Sequence, residues 1–193
     1  DEERGLLYIV HNQRLVVREK TDSVQLSDLD ANKIGEVDLS PIESLVVGPP
    51  GFGDSATDWG GASLTDSEGY LYVMDSSRDR IHKISPTTLN ENGEWEIGEY
   101  MGWMGSCIAN KTNDQGVPYN ACDVDTGVSL GFACTDQKCA RAADPAGNGP
   151  GQFDNLRQME IDPNDIIYVA DYGNARVQRF GTDGTLAGIA RSS

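Results

Sequence analysis

Two histidines, four cysteines and two alternating acidic runs are the residues of this chain best equipped for chemistry. Asp28-x-Asp30-x-Asn32 and Asp123-x-Asp125-x-Gly127 place oxygen donors at alternate positions of turn-prone segments, a spacing that lets several ligands converge on a hard cation such as calcium. Neither run completes a helix-loop-helix calcium site. Lys33 stands where the first needs its sharp-turn glycine and Leu39 where it needs a bidentate glutamate, and the second ends its match at once. A solvated acidic turn is the plain alternative for both. His11 and His82 are accompanied by no His-Glu-x-x-His, nucleophile elbow or phosphate loop, and both read as structural histidines. Gly48-Pro-Pro-Gly-Phe-Gly53 lacks the strand-to-helix context of a nucleotide site and reads as a loop. No catalytic residue is assigned, and the chain reads more as a binding protein than as an enzyme.

The cysteines, Cys107, Cys122, Cys134 and Cys139, fall in one irregular stretch. Only Cys134 and Cys139 are close, so two disulfides in an oxidising compartment are favoured over zinc, with three connectivities open. A disulfide across the second acidic run would preorganise it for calcium. Asn110-Lys-Thr112 is a glycosylation acceptor where the source organism glycosylates. The 31 acidic residues against 15 basic give a net charge of -16, which repels nucleic acid and anionic membrane surfaces. No apolar run approaches the ~20 residues of a membrane span. Together these place the chain outside the cell: secreted, cell-surface or periplasmic.

The elements that must position these residues are strands. Short runs of Val, Ile, Leu and Tyr bounded by Gly, Pro, Asn and Asp recur, with almost no helical period, so the fold class is all-β. One passage has siblings. Met159 to Phe180 and Ala62 to Ile84 each read as a strand, an Asp/Gly turn, a strand ending in Tyr-Val-x-Asp, a polar turn, and a strand opening with Arg. Leu6 to Val17 is a degenerate third copy, with His11 where the others have Asp75 and Asp171. The steps from Tyr8 to Tyr72 and on to Tyr168 exceed the ~40 to 45 residues of a four-stranded propeller blade, so insertions absorb the excess. The first lies between Thr21 and Gly61 and keeps Ile34 to Leu39 as a fourth-strand candidate. The second is the cysteine segment, and Glu96 to Trp103 before it reads as an outer strand.

Gly149-Pro-Gly-Gln-Phe153, Ile167-Tyr-Val-Ala-Asp171, Asn174-x-Arg176-Val-Gln178 and Phe180 together resemble an NHL repeat. The resemblance is strong over 149–188, good over 62–84 and weak over 6–18, about half the chain. It implies one four-stranded propeller blade per repeat: a degenerate blade at 6–48, blades at 62–104 and 151–193, and a cysteine-bearing insertion at 105–150. Asp75 with Arg80, and Asp171 with Arg176, are expected to clasp their turns as a structural device of each blade. Closed propellers typically need four to eight blades, so the ring is incomplete in this chain, and further blades from the same polypeptide or another chain are expected to complete it.

The leading expectation for function is a non-catalytic extracellular propeller module presenting its loops to a protein, glycan or matrix partner, within a larger adhesin-like protein or filament. The alternative that the resemblance implies is a metal-dependent lyase or hydrolase with its site in the central channel.

Overall fold

The computed structural model describes residues 6–11, 14–19, 33–38, 63–76, 78–96, 98–107, 122, 125, 127–133 and 146–191. Among them the secondary structure is all strand, with no helix. β1 (Leu6–His11), β2 (Arg14–Glu19) and β3 (Lys33–Asp38) form an antiparallel sheet in that order. Leu6 and Val17 are buried in it. A second sheet has the order β4 (Ser63–Thr65), β5 (Leu71–Asp75), β6 (Arg80–Ile84) and β9 (Tyr100–Gly105). Between its last two strands, β7 (Thr88–Leu89) and β8 (Trp95–Glu96) make a separate hairpin. A third sheet runs β10 (Leu156–Ile161), β11 (Ile167–Asp171), β12 (Arg176–Phe180) and β13 (Leu186–Arg191).

The second and third sheets share their register residue by residue. Asp75 faces Arg80 as Asp171 faces Arg176; Ile81 faces Met104 as Val177 faces Ala190; His82 faces Trp103 as Gln178 faces Ile189. Even the irregularity in the outer pairing recurs, at Lys83/Ile84 and at Arg179/Phe180.

The turns are built alike too. Asp66 Oδ1 accepts the N–H groups of Glu68 and Tyr70, and its Oδ2 accepts the Tyr72 hydroxyl at 2.9 Å. Asp162 does the same for Asn164, Ile166 and Tyr168. A carboxylate that takes up the turn's amides and anchors the next strand's tyrosine explains why Asp opens both reversals.

The core lies between these two sheets. Tyr72, Met74, Ile81 and Met104 from the second pack against Phe153, Leu156, Met159, Ile167, Val169 and Phe180. Polar ties seal the seam: Lys83 Nζ donates to the Thr182 carbonyl at 2.7 Å, the Leu156 amide donates to Asp79 Oδ1 at 3.3 Å, and Ser67 N donates to Asp165 Oδ1 at 2.9 Å. β5 and β6 are buried along their whole length, the seam covering the face of Tyr72, Met74 and Ile81, whereas β11 and β12 alternate buried with more exposed residues. β5 meets this burial with the apolar run Leu71 to Met74, whereas β6 buries Arg80, His82 and Lys83 beside its isoleucines by giving them ring or hydrogen-bond partners.

The outer strand of the second sheet begins later than Glu96. Glu96 instead pairs with Thr88 in the β7–β8 hairpin, whose turn Asn90 holds by accepting the amides of Asn92 and Glu94. Gly98 then passes so close to Ser85 that a Cβ there would collide with the Ser85 carbonyl, while its own amide donates to Thr87 Oγ1. The strand resumes at Tyr100.

Candidate functional site

Titratable side chains gather at the two equivalent hairpin turns after β5 and β11. In the third sheet the cluster closes on itself. Arg176 Nε donates to Asp171 Oδ2 at 2.6 Å, and its Nη atoms donate to the carbonyls of Asn148, Gly149 and Gln152. Asn174 Nδ2 donates to both Asp171 oxygens, and Gln178 Nε2 donates to Asp171 Oδ2 at 3.1 Å and to the Gln152 carbonyl at 2.6 Å. Gln178 Oε1 accepts the Gly151 amide, and Asp171 Oδ1 accepts that of Asp154. Asp171, Arg176 and Gln178 are all buried. A buried ion pair is tolerable when its remaining donors and acceptors are satisfied; here satisfying them stitches residues 147–154 onto the sheet.

The second sheet carries the same frame with different chemistry. His82 stands at Gln178's register position, Arg78 at Asn174's and Trp103 at Ile189's. The Arg80 guanidinium lies over the Trp103 ring, 4.2 Å from its centroid, and Arg80 Nε finds no hydrogen-bond partner among the described residues. Asp75 therefore takes its short-range contacts elsewhere. The Arg78 amide donates to its Oδ1 at 3.2 Å, and His82 Nε2 lies 3.6 Å from its Oδ2. On the other side of the ring, His82 Nδ1 is 3.1 Å from the Tyr100 hydroxyl. The result is a line from buried Asp75 and His82 to half-buried Tyr100, flanked by the guanidinium groups of Arg78 and Arg80.

Burial holds the His82 imidazole below its ordinary range; Asp75 pulls it back up, and Arg80 and Arg78 push it down again. Burial also depresses Arg80 and raises Tyr100. At neutral pH the imidazole and the phenol are both neutral, so the line is an orienting chain. With His82 only 1% exposed and both ring nitrogens facing side chains of its own sheet, a metal or substrate would have to displace Asp75 or Tyr100 to reach it. Asp79, in the same turn, has its carboxyl raised to about 6, burial being the main cause and the Leu156 and Asn155 amides opposing it.

The base of the cysteine-bearing insertion is fixed directly beyond β9. Cys107 and Cys122 form a disulfide with a Cα–Cα separation of 5.9 Å. Ser106 bridges Val128 and Cys122 bridges Ser129; the Cys107 amide donates to the Gly127 carbonyl, and Ser129 Oγ accepts the Gly105 amide. Gly131 and Phe132 of the insertion then dock at the seam between the second and third sheets. Gly131 and Gly184 meet so closely that a Cβ on Gly131 would strike the Asp183 carbonyl, and the Phe132 ring lies 5.7 Å from that of Tyr72.

Of the residues singled out from sequence, the structure brings together Asp171 with Arg176 and Cys107 with Cys122; Arg80 turns away from Asp75 toward Trp103. Asp125 is exposed. Asp28, Asp30, Asn32, Asn110, Asp123, Cys134 and Cys139 lie outside the described residues. His11 ends β1. Among the described residues no three His, Cys, Asp or Glu side chains converge as a metal site. Sequence reasoning missed the tie of Asp66 to Tyr72 and of Asp162 to Tyr168, although Asp-x5-Tyr recurs at both places. Compared with known proteins, the chain matches no family model and no curated protein.

Proposed function

We infer that this chain is a non-catalytic extracellular binding and scaffold module: NHL-like propeller blades, completed by blades outside this chain, presenting the disulfide-clipped insertion to a protein or glycan partner within a larger adhesin-like assembly. The observation that carries the reading is the Cys107–Cys122 disulfide set on the end of β9 and backed by the bridges to Val128 and Ser129. A loop whose two ends are pinned to a sheet edge is displayed at small entropic cost to recognition. The blade interpretation draws on the matching registers of the second and third sheets and on their face-to-face packing. The disulfide and the acidic balance favour an oxidising, extracellular setting.

The test keeps Cys107 and Cys122 and replaces residues 108–121 with a short Gly/Ser linker. Larger deletions would remove Ser129, Gly149 and Gln152, which hold β9 and β12. Wild type and the replaced chain are compared on a panel of immobilised glycans and matrix proteins. Capture by wild type that falls at least about tenfold on replacement, with unchanged thermal unfolding, supports the reading. Equal capture by both, or no capture by either, overturns it.

A further inference from the structure

The sequence holds two Asn-Gly pairs, Asn92-Gly93 and Asn148-Gly149. In such a pair the glycine nitrogen can attack the preceding side-chain amide with little obstruction, because glycine has no Cβ and turns freely. Exposure does not separate the two, since both asparagines are exposed among the described residues. What separates them is how firmly the peptide between Asn and Gly is held.

At Asn148-Gly149 side chains hold that peptide at both ends. The Asn148 carbonyl accepts Arg176 Nη1 at 2.8 Å, and the Gly149 amide donates to Gln152 Oε1 at 3.0 Å. Arg176 also donates to the Gly149 carbonyl, and it is buried against Asp171. Turning the peptide toward the Asn148 side chain would strip a buried guanidinium of its acceptors, a costly loss. The Asn92-Gly93 peptide lies instead at the tip of the β7–β8 hairpin, whose strands pair only Thr88 with Glu96 and Leu89 with Trp95. Its Gly93 amide donates at 2.9 Å to the carbonyl of Asn90, within the turn itself. The Asn92 carboxamide has no hydrogen-bond partner among the described residues, and a Cβ on Gly93 would meet nothing within 4 Å. So short a two-stranded hairpin opens locally at small cost, and opening frees the Gly93 nitrogen.

We propose that Asn92-Gly93 is a site of spontaneous deamidation and that Asn148-Gly149 is protected from it. The Gly93 nitrogen forms a bond to Asn92 Cγ, the Cγ–Nδ2 bond breaks, and ammonia leaves with the amide proton. Water then opens the cyclic imide at either carbonyl, giving aspartate or isoaspartate at position 92. Each event adds a negative charge beside Glu91 and Glu94. The isoaspartyl product also inserts a methylene into the main chain and displaces the Glu94 amide from Asn90 Oδ1, where it now rests at 3.0 Å. The hairpin tip thus records the age of the molecule while the sheets keep their structure.

The full chain is held at 37 °C at mildly alkaline pH in water enriched in oxygen-18, with its disulfides intact, and peptides containing each pair are followed by mass spectrometry. A parallel sample is kept unfolded in guanidinium chloride. In the folded chain conversion at Asn92, with oxygen-18 uptake and both products present, is expected to run at least about tenfold faster than at Asn148; in the unfolded chain the two rates should converge. Conversion at Asn148 as fast as at Asn92 in the folded chain, no conversion at Asn92 over a period in which the unfolded chain converts, or aspartate without isoaspartate would overturn the proposal. A tenfold difference that persists in the unfolded chain would overturn it too, by assigning the selectivity to neighbouring sequence.

Discussion

His82 and Gln178 occupy the same register position in two sheets of one chain, each beside the aspartate that ends the preceding strand. Gln178 reaches Asp171 at 3.1 Å and two backbone groups besides, whereas His82 lies 3.6 Å from Asp75 and turns its other nitrogen to Tyr100. The permanently neutral amide serves a closed structural network; the imidazole in its place makes the sister network sensitive to protons.

That sensitivity has a defined sign. Burial depresses His82 in the folded chain below its unfolded value of about 6.5, so its contribution to stability is complete above that pH and is lost as pH falls. His82→Gln, borrowing the sister residue, is expected to remove this loss. Urea unfolding from pH 7.5 to 5 should show the stability of wild type falling relative to the variant, by at most about 1.4 kcal/mol per pH unit. Parallel curves would refute the assignment.

Asp79 acts in the opposite sense. Its folded carboxyl titrates at about 6 against an ordinary 3.8, so the protonated form suits the folded state; stability is greatest below the unfolded value and declines as pH rises through about 6. Asn at this position keeps an acceptor for the Leu156 amide and tolerates the left-handed backbone at φ 51°. Asp79→Asn should stabilise the chain by about 2 kcal/mol at pH 7.5 and by little at pH 4. A gain of equal size at both pH values would show that its charge is not the cause.

The two arginines of the repeat should differ in cost. Arg176→Ala strands a buried Asp171 and frees three carbonyls, an expected loss of about 3–5 kcal/mol. Arg80→Ala removes a guanidinium stacked on Trp103 and an unbonded Nε, an expected loss of about 1–2 kcal/mol. Chemical denaturation of both variants decides it; equal losses would mean that the two turns are energetically alike.

Much of this frame is legible from residue order. The Asp-to-Arg spacing marks both hairpins, and Ile34 to Leu39 marks a strand that the structure places at Lys33–Asp38. What residue order conceals is competition between distant partners. Arg80 looks like Arg176 until Trp103, from a strand some twenty positions on, offers its ring where Ile189 offers none. The strand-like run from Glu96 to Trp103 is likewise divided by the tight passage of Gly98 against Ser85, a contact that no local pattern encodes.

In the proposed module, recognition belongs to the insertion clipped by Cys107 and Cys122, and the sheets serve as its mount. The most direct measurement is capture on the glycan and matrix panel by a Cys107→Ser with Cys122→Ser variant, alongside its unfolding midpoint. Release of this closure should lower the midpoint in line with a loss of about 2–3 kcal/mol and leave the sheets folded. Under those conditions capture is predicted to fall at least about tenfold as the loop loses its fixed base. Full capture by the folded, disulfide-free variant would contradict the claim.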